Sequence, residues 1–148
     1  MAIVKKVSRR FLRELGIGAI NLTSDEHRII LMDDAFVFDP ETHETLANVS
    51  ASELPTGAGY TAQTKALVID TAWAADTGTD IRALMTWEDI LWSASTGDIG
   101  PTSSAIIYNH THVSKIILGC IEFEVDVTIE DGLSFELRDL SYELWQKV

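Results

Sequence analysis

The sequence predicts a mainly β fold: an antiparallel β-sandwich, or a barrel-like variant, of about eight short strands. An N-terminal amphipathic basic helix or arm and a short C-terminal tail are expected to flank it. The first observation behind this is the stretch Ile81–Glu124, where apolar runs rich in aromatic and β-branched residues are separated by Gly, Pro, Asn and Ser. That spacing reads as consecutive antiparallel strands. The second is alternation: Ile117, Gly119, Ile121 and Phe123 interleave with Leu118, Cys120, Glu122 and Glu124. The first half of that run is apolar on both faces and the second on one, as in a strand buried at its start and solvated towards its end. The third is how little helical periodicity lies between the runs, which disfavours an α/β fold.

In chain order, Ile3, Val7, Phe11 and Leu15 recur every four positions, with Lys6, Arg9, Arg10 and Arg13 on the other side. This predicts a helix over 3–15, closed by Gly16 and Gly18. Such a helix either packs on its own domain or protrudes as an arm that anchors to a partner subunit. Arg28–Met32 is a compact apolar run expected as a buried strand, and Ala35–Phe38 continues it or pairs with it. Thr42–Asn48 is read as a short helix in a polar loop, and Pro55–Tyr60 as a loop. Strands are expected at Lys65–Thr71, Arg82–Thr86, Ile90–Ala94, Ala105–Tyr108, Lys115–Ile129 and Leu133–Leu137. Ala72–Asp80 is read as a hairpin connection or irregular edge, Thr96–Thr102 as a loop and Asn109–Ser114 as a turn. The tail from Asp139, with Leu140, Leu144 and Trp145, fits a short helix or an extended strap equally. The division that follows is an arm at 1–22, a body at 23–138 and a tail at 139–148.

A chain of 148 residues is one ordinary domain, long enough to bury a core without disulfides. The single cysteine, Cys120, sits in an apolar run and is expected inside as a small hydrophobe. Charges precede no uninterrupted apolar stretch at the N-terminus, and no run approaches a membrane span, so a soluble protein made in a cytoplasm is expected. The net charge of −12 is unevenly spread. Lys5, Lys6, Arg9, Arg10 and Arg13 hold five of the 11 basic residues, and no acid precedes Glu14. The remainder has six basic and 23 acidic side chains, a formal charge near −17. A basic arm on so acidic a body is expected to dock on something acidic, and the body repels nucleic acid. A membrane-surface helix is a lesser possibility for the same segment.

No pattern spells out a chemistry. Gly16-x-Gly18 lacks the third glycine and the preceding strand of a phosphate loop. His110-x-His112 would be half a metal site on an extended backbone, yet the segment reads as a solvated turn. His27 and His43 stand among polar residues and are expected to be exposed. Asp33-Asp34, Glu88-Asp89 and Glu130-Asp131 point to opposite faces of a strand, so none is a carboxylate dyad. Asp76, Asp80 and Asp98 match no calcium-loop spacing. Trp73, Trp87 and Trp92 are expected as core or interface anchors, and Trp145 as a fastening for the tail. No catalytic residue, metal ligand or cofactor is expected.

Several short motifs do occur in a recognisable order. They are Glu53-Leu54-Pro55 with Gly57–Thr61, then Ala66-Leu67, Trp87–Ala94, Ala105–Asn109, Ile116–Phe123 and Gly132–Leu137. Together, over roughly residues 28–137, they resemble a recurrent module in small structural proteins of tailed bacteriophages. The chain departs from that module at Trp87-Glu88-Asp89-Ile90, where the family is more acidic, and at Asn109-His110-Thr111, which replaces an Asp-Thr. The resemblance implies a non-enzymatic virion protein, assembled in the host bacterial cytoplasm. Its first role would be a capsid decoration or cement subunit, anchored to the major capsid protein or a neighbouring virion subunit and itself a homo-oligomer, a trimer in the favoured form. A head–tail connector or a tail or fibre component is the alternative. A carbohydrate- or ligand-binding β-sandwich is the rival from another class. The residues expected to meet the partner are Lys5, Lys6, Arg9, Arg10, Phe11, Arg13 and Trp145. Deleting residues 1–15 is accordingly expected to leave the β body folded while abolishing attachment.

Overall fold

A computed structural model of the chain describes residues 6–76 and 81–146; the side chains of 73–76, 81–83 and 143–146 lie outside that description. Lys5 and the Thr77–Asp80 part of the expected hairpin connection therefore also lie outside it. The fold is mainly β and antiparallel. Strand β1 (Lys6–Val7) leads into helix α1 (Arg9–Gly16), followed by β2 (His27–Asp33) and the one-turn helix α2 (Leu46–Val49). The remaining strands are β3 (Ile69–Asp76), β4 (Ile81–Trp87), β5 (Ile90–Ser93), β6 (Ile99–Asn109), β7 (Ile117–Ile129), β8 (Ser134–Leu137) and β9 (Ser141–Gln146). They form a four-stranded sheet in the order β1-β7-β6-β2, a three-stranded sheet β3-β4-β9 and a β5-β8 ribbon. Among the described residues no helix is long and apolar enough to cross a membrane.

The four-stranded sheet is the middle layer, and its composition explains why. Runs such as Ile29–Met32, Ala105–Tyr108 and Ile116–Leu118 are apolar at every position, so both of their faces need cover. One face carries Ile29, Leu31, Ala105, Ile107 and Leu118 into a core shared with Met85 and Trp87 of β4, Trp92 of β5 and Tyr142 of β9. The opposite face carries Ile30, Met32, Ile106, Tyr108, Ile117 and Cys120 against Phe38 and Val49 from the loop that holds α2. Ala35–Phe38 is thus not a strand; it turns, and Phe38 is used as a plug. Cys120 is fully buried, and burial pushes its thiol up to about 12. A thiol with that pKa carries almost no thiolate at neutral pH.

Several boundaries differ from the sequence expectation for identifiable reasons. The strand expected at Lys65–Thr71 is divided between two sheets. Residues 65–67 cover the outer edge of β2, through Ile29 N–H to Lys65 O and Leu67 N–H to His27 O, and β3 starts only at Ile69. The stretch 96–102, read as a loop from its Gly and Pro, already belongs to β6 from Ile99 onward, where bulges absorb the irregular residues. Thr102 Oγ1 there donates to Met32 O at 2.6 Å, tying β6 to β2 where their register shifts. The tail is extended: β9 pairs with β4 from Ser141 to Gln146.

Gly57–Tyr60 closes a tight turn, with Gly57 N–H to Tyr60 O at 2.9 Å and Tyr60 N–H to Gly57 O at 2.8 Å. Its function is to seat Tyr60, whose hydroxyl accepts from Leu31 N–H and donates to Glu53 Oε1. At Gly59 φ is +91°, and an added Cβ would lie 2.4 Å from the Ser93 carbonyl oxygen. The positive φ and the backbone neighbour leave no cheap relief. Gly59→Ala is expected to destabilise the fold by about 2–3 kcal/mol, read as a lowered urea midpoint; an unchanged midpoint would mean that this turn does not clamp β5.

Candidate docking surface

The basic N-terminal segment is not a free arm. The predicted helix over 3–15 breaks at Val7 and Ser8, because Lys6 and Val7 pair with Cys120 and Gly119 of β7. Ser8 N–H donates to Leu118 O and Arg9 N–H to Pro40 O, both at 3.0 Å, which fixes the start of α1 at both layers. At its other end Ile17 N–H bonds Arg13 O, Gly18 N–H bonds Leu15 O and Ala19 N–H bonds Glu14 O, with Gly18 at φ +75°. This is glycine closing a helix by taking the left-handed conformation.

Phe11 was expected to meet a partner; instead it is 0% exposed and edge-on to Tyr142 at 5.5 Å. It faces inward because α1 is short and has one apolar face to bury, and Phe11 is its largest side chain. Ile20 and Leu22 join the same core, so 1–22 and 23–138 share their packing where the chain is described. The cations take different positions. Lys6 Nζ meets Glu122 Oε1 at 2.6 Å across the β1–β7 pair. Arg10 is partly buried and reaches the buried Glu14 at 3.5 Å. Arg9 and Arg13 point outward, with only loose ion pairs to Glu44 at 3.8 Å and Glu14 at 3.9 Å. Such exposed pairs are worth little and leave both guanidiniums available. Beside them stand two apolar side chains, Leu12 at 51% and Ile17 at 66% exposed. Leu12 and Ile17 flank the outward arginines on the side of the helix away from Phe11, where nothing in the described residues covers them. Trp145 lies in β9 opposite Arg82 in the backbone register, and its side chain is outside the description.

Behind α1, a shallow groove of about 560 Å³ runs between Arg10, α2 and the turn at Val113–Lys115. Just before that turn lie His110 and His112, expected from the sequence in a solvated turn. His112 Nδ1 accepts from Ser114 N–H at 3.1 Å, so its own turn already uses that nitrogen. His110 packs edge-on against Tyr108, and desolvation with the charges of Arg28 and Lys115 lowers its pKa. Among the described residues, no group of three or more His, Cys, Asp or Glu side chains is placed to hold a metal ion.

His27, expected to be exposed, is 1% exposed, because β2 carries it under Trp87, ring to ring at 6.3 Å. Its Nε2 lies 3.3 Å from Asn109 Nδ2, which also donates to Asp25 Oδ2 at 2.8 Å. Asn109 Oδ1 meanwhile accepts from His112 N–H at 2.7 Å. An amide NH₂ facing Nε2 requires an unprotonated nitrogen there. Burial lowers the pKa of His27 to about 4, against the pull of Asp25 and Glu26. His43, also expected to be exposed, is half covered, stacked on Phe36 at 5.2 Å. Trp87 and Trp92 are buried in the core, so neither offers the exposed aromatic platform a carbohydrate module needs.

Compared with known proteins, the chain matches no family model, no curated protein and no solved structure.

Proposed function

We propose that this chain is a non-enzymatic structural subunit of a tailed-bacteriophage particle, first a capsid decoration or cement protein, attached through the outer face of α1. The order of motifs that resembles the phage module supports the class. One observation carries the mode of attachment: Arg9 and Arg13 with Leu12 and Ile17 form a mixed basic and apolar face, held rigidly on a body that is otherwise strongly acidic. Cations at the rim steer the approach to an acidic neighbour, and the apolar side chains supply area to bury. The anchoring residues are thereby revised from the full basic set to Arg9, Leu12, Arg13 and Ile17. Lys6 and Arg10 serve the body's own acids, and Phe11 serves its core.

The test is add-back to particles that lack the protein. Arg9→Glu with Arg13→Glu is expected to lower the copies bound per particle about tenfold while the far-UV spectrum is unchanged. Undiminished binding would sink the α1 mode. Counting copies on native particles separates the roles: on the order of hundreds means decoration, and about a dozen or fewer means a connector or tail position.

A further inference from the structure

We infer that the acidic surface met by the α1 face is the distal half of β7 on a second copy of this chain. The inference rests on reading α1 as a docking face and names the partner of that face. Beyond Ile121, β7 turns Glu122, Glu124 and Asp126 outward, while Phe123 and Val127 pack on the core and hold the strand in place. Val125, 73% exposed, lies in the same stretch, and the exposed Leu133 follows in the turn before β8. Its charges are the inverse of those on the α1 face: uncovered acids on β7, against uncovered arginines on α1.

The two sets already meet once inside a single chain. Where β1 crosses β7, Lys6 takes Glu122 at 2.6 Å. On either side of that contact Arg9 and Arg13 hold only long ion pairs, and Glu124 and Asp126 make none among the described residues. The charges that the described residues leave loosely paired within one copy can pair between copies. The attraction is local, so it operates despite a net charge of −12 that would otherwise keep copies apart. The two faces are different patches of the chain. Their contact therefore joins unlike surfaces, which closes into a ring when the rotation allows and includes the trimer that the phage resemblance implies.

The experiment uses the purified full chain without particles, with mass measured by sedimentation at about 50 mM and about 500 mM salt. Concentration-dependent association at low salt, weakened at least about tenfold at high salt, is expected. Arg9→Glu/Arg13→Glu and, separately, Glu124→Arg/Asp126→Arg should each be folded monomers. An equimolar mixture of the two variants should associate again, because each then offers the complement of the other's altered face. A wild-type chain that stays monomeric at low salt overturns the inference, as does a mixture that stays monomeric while both variants remain folded. The outcomes also separate the two readings. If the α1 variant loses particle binding while the wild type is monomeric, α1 docks elsewhere and only this inference falls. If the α1 variant keeps both particle binding and self-association, both readings fall.

Discussion

Phe11→Ala is expected to cost about 3–5 kcal/mol, the range for emptying a fully buried aromatic site. Set against a typical total stability of about 5–15 kcal/mol, this is a large fraction of what the domain has. Tyr142 loses its edge-on neighbour, and the cavity opens between α1 and β9, where these two rings meet. Urea unfolding followed by tryptophan fluorescence measures it, with Leu12→Ala as the control; Leu12 is half exposed and should change stability by less than about 0.5 kcal/mol. The same packing predicts that a chain lacking residues 1–15 does not fold stably, the reverse of what a detachable arm implies. If Phe11→Ala costs less than about 1 kcal/mol, α1 is an accessory to the body after all.

Acid should weaken the fold through His27. Its pKa is about 4 in the folded chain and about 6.5 when unfolded, so the unfolded state takes up the proton more readily. Stability from this group is complete above about pH 6.5, falls as pH drops, and is fully lost below about pH 4, a total of about 3 kcal/mol. The cause is geometric as well as dielectric: a protonated Nε2 would face the Asn109 amide NH₂ under Trp87. Asp25 and Glu26 favour the proton and are outweighed by burial. Unfolding midpoints at pH 7.5, 5.5 and 4.5 give the slope. In His27→Gln the part of that slope due to this residue should disappear, and an identical slope in the variant would assign the acid sensitivity to carboxylates instead.

What the sequence made legible follows from how periodicity arises. The β6–β7 hairpin and the β5 alternation were readable because each strand's own residues record which faces are covered. Runs that are apolar throughout announced a two-sided core without saying what covers the second side, and the cover is the irregular loop around Phe38 and Val49. The N-terminal helix was overextended because Val7 fits period 3.6 and period 2 equally, and only the β7 edge, far along the chain, decides. His27 was misread because its sequence neighbours Asp25, Glu26 and Arg28 are polar, whereas Trp87 covers it from another strand. The exposure of Leu12 and Ile17 was hidden because the inward turn of Phe11 is set by Tyr142, far along the chain.

The pairing of β1 with β7, and of Phe11 with Tyr142, brings together segments that lie far apart along the chain. The strands in between must therefore be available before β1 and α1 can find their place. Until then Val7, Phe11 and the five nearby cations stay exposed beside an acidic polypeptide. Contacts of such long sequence separation are slow to form. Refolding of this domain should accordingly end with the N-terminus closing onto β7, and with it the α1 face would acquire its final shape last.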